Sequence, residues 1–284
     1  MNYYLFSNRY YAALLFVFLS VVLLPKYMNA NVLQGRHIID LMMKNYRGID
    51  TLLITQRMTI HHAGTEESSV ELTSTLRYRF PEDFRSDTVS VNAKKIHIIS
   101  KGNVLTAINN KITAEAENVF DYYKDIILYN SRLRLEDRLS KLGLDVSVSS
   151  IGRLNGKIAF VIGAQYPELS VSQLWVDKQN FMPMRLILTN NIFQQTETFL
   201  DIRYLEWKQS DKVWYPMRIE FYQNNVLVRV IIVDSIETNP FFSEDIFDID
   251  QIRSGFKSNI PDLPEPEAGL NKAWEPFEEF KKIY

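Results

Sequence analysis

Apolar and polar positions alternate along most of the chain between Ile49 and Glu237. Leu76, Tyr78 and Phe80 share one parity and Arg77 and Arg79 the other. Met182, Met184, Leu186 and Leu188 repeat the alternation, as do Leu200, Ile202 and Tyr204, and then Val213, Tyr215, Met217, Ile219 and Phe221. A period of two marks strands with one apolar and one wet face. Such segments are expected at Thr51–His62, Val70–Phe80, Phe84–Val91, Lys95–Lys101 and Val104–Thr113. They resume at Asp145–Ile151, Lys157–Gln165, Ser172–Asp177, Met182–Thr189, Glu197–Trp207, Val213–Tyr222 and Val226–Glu237. The spacers are short and turn-like, among them Pro81-Glu82-Asp83, Lys101-Gly102-Asn103, Arg153-Leu154-Asn155-Gly156 and Gln223-Asn224-Asn225. They suit hairpins and leave no room for βαβ crossovers, so the sheet is antiparallel.

Two stretches read as helix. From Asn31 to Arg47, Ile38, Leu41, Met42 and Asn45 fall at i, i+3, i+4 and i+7, with Gly48 as a stop. From Asn118 to Leu142, Phe120, Tyr123, Ile127 and Leu133 line one stripe, Asn118 can cap the start and Gly143 follows the end. A long helix between two halves of a sheet packs across the concave face. One helix cannot fill a sheet with this many strands, which predicts either a thin core or a cavity. Ser243–Ile249 is expected to form only a short terminal piece, and Pro261, Pro264 and Pro266 with acids between them read as an extended linker. Trp274, Phe277 and Phe280 follow at three-residue spacing.

The first thirty residues read as a cleavable export signal. Arg9 supplies the positive start, the apolar run Tyr10–Leu24 is shorter than the roughly 20 residues of a spanning helix, and Met28-Asn29-Ala30 offers a cleavage point. The expected domains are thus 1–30, 31–257 and 258–284. The chain has no cysteine, which removes disulfides, thiolate catalysis, cysteine-ligated metals and a lipidated N-terminal cysteine from consideration. With 32 basic and 34 acidic residues and no basic block, the balance argues against nucleic acid.

Catalytic chemistry is hard to find. The histidines are His37, His61, His62 and His97, and the adjacent pair at a strand end faces opposite ways, which suits no shared metal. Glu66-Glu67, Glu244-Asp245 and Asp248-x-Asp250 sit in polar turns that would not raise a carboxylate's pKa for acid catalysis. No zinc, nucleophile-elbow or phosphate-loop motif is present, so a non-enzyme without metal or cofactor is expected. Aromatics are the sharper signal, with 17 Phe, 15 Tyr and 4 Trp. Alternation puts Met58, Ile60, Tyr78, Phe80, Met184 and Leu186 on one face, and methionines among aromatics make an adaptable apolar lining.

Two stretches resemble a known family. Leu76-Arg77-Tyr78-Arg79-Phe80-Pro81-Glu82-Asp83-Phe84-Arg85 is similar to the strand–proline–strand hairpin of LolA-like periplasmic lipoprotein carriers. Ser172-Gln173-Leu174-Trp175-Val176-Asp177-Lys178, running to Met182-Pro183-Met184-Arg185, resembles the strand, Asp-Lys turn and x-Pro-x-Arg strand of outer-membrane lipoprotein-sorting proteins. Ile246-Phe247-Asp248-Ile249 after Asn239-Pro240 is similar to the ending of the same group, so the resemblance spans about residues 31–250. It implies a mainly β (α+β) fold: an unclosed antiparallel barrel, with the N-terminal and central helices as a lid over an apolar cavity. It further implies a soluble periplasmic carrier of lipoprotein acyl chains or other lipids, passing cargo from an inner-membrane donor to an outer-membrane acceptor. The candidate lining is Met58, Ile60, Leu76, Tyr78, Phe80, Phe120, Tyr123, Ile127, Met182, Met184, Leu186, Leu200 and Ile202. In the family a basic residue directly before the hairpin proline latches the lid. Here that position is Phe80, and Arg79 and Arg85 are the nearest basic candidates. The alternative is an envelope sensor or protein-interaction module on the same fold, with the aromatic tail docking on a partner.

Overall fold

The computed structural model describes residues 32–44, 48–61, 69–113, 119–189, 199–211 and 213–257. The proposed export signal, His62 and the segment 258–284 with Trp274, Phe277 and Phe280 lie outside the described residues. All elements below belong to the unit Leu33–Tyr284. Among the described residues no helix is long and apolar enough to cross a membrane.

Among the described residues thirteen strands form one antiparallel sheet. The first half holds β1 (Thr51–His61), β2 (Ser69–Arg79), β3 (Asp83–Val89), β4 (Lys94–Ser100), β5 (Asn103–Ile108) and β6 (Lys111–Thr113). The second holds β7 (Ser149–Leu154), β8 (Lys157–Ile162), β9 (Gln173–Asp177), β10 (Pro183–Leu188), β11 (Leu200–Ser210), β12 (Val213–Gln223) and β13 (Val226–Thr238). Each half is a meander, and the halves join where β1 pairs with β13, from Leu52↔Thr238 to Ile60↔Arg229. The two sheet edges are therefore β6 and β7, consecutive in the chain and not paired to each other, so the barrel is unclosed.

Two-residue turns join several hairpins. Lys101-Gly102, Asn109-Asn110, Asn155-Gly156 and Asn224-Asn225 all carry positive φ at both positions, the turn geometry that matches strand twist and that Asn and Gly tolerate. The Asn109-Asn110 turn corrects the expected single strand Val104–Thr113, which folds back as β5 and β6.

The helices depart further from the pattern. The first, α1 (Gly35–Met43), starts later than Asn31, because Gln34 is still extended, and it buries Ile38, Ile39, Met42 and Met43. The expected single helix at Asn118–Leu142 is instead a 3-10 turn (Val119–Tyr122), α2 (Tyr123–Leu128) and α3 (Arg132–Lys141). Tyr129 and Ser131 are extended and break the rod. All six residues of α2 are buried, whereas α3 buries Leu135 and Leu139. A straight rod cannot be enclosed in one turn and lie on the surface in the next, so the break re-aims the chain. Gly143, at φ 77, ends α3 as its position predicts. Beyond the expected short terminal piece, a 3-10 turn at Glu244–Phe247 leads into α4 (Ile249–Lys257), which the sequence reading did not anticipate.

The concave side is filled by one cluster drawn from β1–β3, β8–β13 and α1–α3, including Leu52, Ile54, Leu72, Tyr215 and Phe221. The helical segment that links the two edges thus covers the core of both halves. The convex side carries two smaller clusters. Ile96, Ile98 and Leu105 meet Ile249, Ile252 and Phe256 of α4, while Ala159, Val161, Ala164 and Trp175 pack with Leu154 and Met184.

Candidate functional site

The candidate lining residues separate into two groups. Met58, Ile60, Leu76, Tyr78, Tyr123, Ile127, Leu186, Leu200 and Ile202 are buried together in the concave cluster, and Phe80 and Phe120 pack against it while partly exposed. Met184 does not join them, and this corrects the expected face. A register irregularity between Pro183 and Arg185 on the β9 side interrupts the alternation, so Met184 packs with Trp175 and Leu154 on the convex side although Leu186 points inward. Met182 is buried beside it and shares a separate recess with Met184, Trp207 and Trp214.

The concave interior is tightly occupied at Ile127, Leu186, Leu200 and Ile202, each 0% exposed. At one rim a cleft of about 490 Å³ separates the β2–β3 hairpin and the β4–β5 turn from the helices. Tyr78, Phe80 and Phe84 form its sheet wall, with Tyr78 and Phe84 ring centroids 4.8 Å apart, and Ile99 extends that wall. Leu128 and Tyr129 form the helical wall, at the break between α2 and α3. The Tyr78 hydroxyl is buried without a hydrogen-bond partner, and burial holds its pKa well above the ordinary phenol value. An unsatisfied buried hydroxyl beside these rings is costly for the closed protein and available to a ligand, while Arg79, Glu82, Asp83 and Lys101 complete the lining on the sheet side.

Charged groups frame the cleft. Asp125, buried in α2, accepts a contact from Arg138 Nε at 2.8 Å and lies 3.5 Å from Lys124 Nζ. The Lys124 ammonium also sits 5.1 Å from the Phe84 ring centroid, a cation–π approach. At the mouth, Arg134 of α3 donates to the carbonyl of Pro81 at 2.6 Å and to the Glu82 carboxylate, which ties the helices to the hairpin tip. Sequence reasoning missed Arg134. The usable signal was Phe80, an uncharged residue directly before Pro81: the tie to the hairpin tip comes from α3 on the opposite wall.

Arg79 and Arg85, the basic residues nearest the hairpin proline, make their ion pairs away from α2 and α3. Neighbouring strand residues face opposite ways, and both point to the convex side. Arg79 pairs with Asp83 and Glu244 at 2.8 Å each and lies 4.8 Å from the Phe247 ring centroid. Arg85 pairs with Asp87 and donates to the carbonyl of Ile246 at 3.0 Å. Together they fasten the C-terminal 3-10 turn to the sheet.

Part of the concave face is polar where alternation alone suggested an apolar lining. Gln56 Nε2 donates to the Tyr123 hydroxyl at 3.0 Å, the Ser74 and Thr88 hydroxyls are 2.8 Å apart, and His97 Nδ1 lies 2.8 Å from the Thr106 hydroxyl. Among the described residues no group of three His, Asp or Glu side chains is placed to hold a metal ion.

No family model matches the sequence, and no curated protein matches it. Solved structures do resemble the fold. An outer membrane lipoprotein-sorting protein domain from Vibrio parahaemolyticus aligns over 77% of this chain and 98% of its own, at 12% identity and a TM-score of 0.51. The fold is LolA-like. A DUF1329 family protein from Desulfovibrio piger aligns over 77% of this chain and 99% of its own, also at 12% identity and a TM-score of 0.51. A LolA superfamily protein from Nitrosomonas europaea aligns at 9% identity over 77% of this chain and 99% of its own, with a TM-score of 0.46. In this fold the rim cleft lies between the Pro81 hairpin and the α2–α3 segment, and α4 packs on the convex side.

Proposed function

We propose that the protein is a periplasmic carrier that shelters an acyl chain of a lipid or lipoprotein in the rim cleft, on its way toward the outer membrane. The observation that carries this reading is the cleft of about 490 Å³ walled by Tyr78, Phe80, Phe84, Ile99 and Leu128. That volume falls in the roughly 300–1,000 Å³ span of small-molecule sites. Burying a methylene is worth about 0.8 kcal/mol, so eight methylenes supply roughly 6 kcal/mol of gross affinity without any catalytic group. The filled interior supports entry at the rim, with the α2–α3 segment as lid and the Arg134 contacts as its closure. The remaining concave side chains named above would then be reached only when that segment shifts.

The test is uptake of a fluorescent fatty acid by the purified protein. Phe80 is partly exposed, so Phe80→Asp puts a charge into the cleft with little cost to folding. It should weaken uptake at least tenfold with an unchanged melting curve, and Ile99→Asp should do the same. Unchanged uptake in both variants would show that the cleft is not the site.

A further inference from the structure

The two apolar clusters on the convex side are covered unequally. Over the first half, Ile249, Ile252 and Phe256 of α4 close onto Ile96, Ile98 and Leu105. Over the second half, Leu154 and Met184 pack with Trp175, and among the described residues no helical side chain joins that cluster. Leu154 and Met184 also line a recess of about 490 Å³, together with Met182, Leu205, Trp207 and Trp214. Trp207 pairs with Pro216 and Trp214 with Gln209, so the two indoles are diagonal neighbours on adjacent strands. The charged groups at the margin are matched within the protein: Lys157 lies 3.8 Å from Asp177, and Arg185 and Arg203 both meet the buried Asp201. Glu206, Asn155 and Asn180 complete that margin and are exposed. Trp207 Nε1 donates to the carbonyl of Pro183 at 3.1 Å, so this indole offers a ring face and no spare donor. Two tryptophans and two methionines suit an apolar, aromatic occupant rather than an ion.

The chain itself holds such an occupant. Ile249, Ile252 and Phe256 sit at i, i+3 and i+7, the spacing that puts three apolar side chains on one helical face. Phe277, Phe280 and Tyr284 repeat that spacing, and Trp274 comes three residues before them. Reach decides what they can touch. The strand order sets β11 seven spacings from β5, beneath α4, which is roughly 34 Å at about 4.8 Å each. Phe277 is twenty residues beyond Lys257, and a proline-rich linker at about 3.1 Å per residue spans roughly 60 Å. The tether also holds the segment at an effective concentration on the order of 1 mM, far above that of a second copy in dilute solution. The rim cleft is within the same reach, but it already has a helical wall at Leu128 and Tyr129, whereas the recess has none. We infer that the segment 274–284 folds back onto its own sheet and covers the Trp207–Trp214 recess, as α4 covers the first half, with Pro261, Pro264 and Pro266 in the spacer. This holds whatever the rim cleft carries.

The experiment places the photo-crosslinker p-benzoylphenylalanine at position 277, in the protein purified with its C-terminal segment intact. Cross-links are mapped by mass spectrometry in an equal mixture of ¹⁴N- and ¹⁵N-labelled chains. They should join position 277 to Met184, Trp207 or Trp214 within one chain. Met184→Asp, which sets a charge against the rings, should lower their yield at least fivefold and speed tryptic cleavage after Lys272 at least tenfold. The mapping is read with the recess unaltered, so it decides the matter even if the aspartate variant does not fold. Cross-links at the recess that join ¹⁴N to ¹⁵N chains would make the occupant a second copy and overturn the fold-back. Cross-links into the rim cleft at Phe80 or Ile99, cross-links scattered over the surface, or a yield unchanged by Met184→Asp in a folded variant would overturn the recess as the site.

Discussion

Tyr123 and Asp201 show how polar side chains are held inside this sheet. Asp201 is 0% exposed on β11 and receives Arg185 at 2.7 Å and Arg203 at 3.0 Å, so its charge is neutralised in place. Tyr123 has no such cation at hydrogen-bond distance; its hydroxyl meets Gln56, and burial raises its pKa from 10.0 to about 12. That shift is a statement about stability. Above pH 10 the phenol of the unfolded chain loses its proton while the folded one keeps it, so the unfolded state binds fewer protons. Stability is therefore unaffected below about pH 10 and falls as pH rises from 10 toward 12, by up to roughly 3 kcal/mol for this residue. Tyr78, raised in the same direction by burial, adds to the loss. Denaturant unfolding at a series of alkaline pH values should show the decline, and Tyr123→Phe should flatten part of it; an identical slope in the variant would contradict the assignment. At this scale period-two alternation was a good guide wherever the ladder is regular, as at Tyr78 and Arg79. It failed at Met184, because an irregularity in strand pairing leaves no mark in a pattern of apolar and polar letters.

Strands were far more readable than helices. Alternation and Asn- or Gly-containing turns located many of the hairpins, because most strands have one buried face and several turns hold a positive φ. The α2–α3 break was hidden, since α2 is buried all round and shows no polar face to mark its orientation. The rim cleft stayed hidden for the same reason: it forms where that break meets the hairpin, a coincidence of distant segments. The C-terminal turn was only half visible. Phe247 is 1% exposed beneath the Arg79 guanidinium, and its neighbours lead into α4, which covers Ile96, Ile98 and Leu105. Phe247→Ala should cost about 3–5 kcal/mol in chemical denaturation and open the backbone near Phe241 to protease cleavage. A loss below 1 kcal/mol with no new cleavage would mean that this turn is an ornament rather than a fastening.

At the scale of the molecule, an open sheet needs protected edges and a sealed centre. Charge pairs such as Arg57–Asp234 and Arg77–Asp87 lie along the convex side, and the edge strand β6 is only three residues long. Protection should grade accordingly. Native-state hydrogen exchange is expected to be slowest for amides of β1, β12 and β13 and fastest for β6 and β7, with uniform protection across the sheet as the contrary result. The expectation of an unfilled barrel came from counting one covering helix. Among the described residues α1–α3 and a set of large inward side chains fill the concave side instead, and a cleft of about 490 Å³ is left at the rim. The central seam also sets a timetable. β1 pairs at once with β2 but finds its second neighbour only in β13, so the first hairpins made by the ribosome must wait with a bare backbone edge until β13 has emerged. Until then, that waiting edge is where a chaperone would have to act.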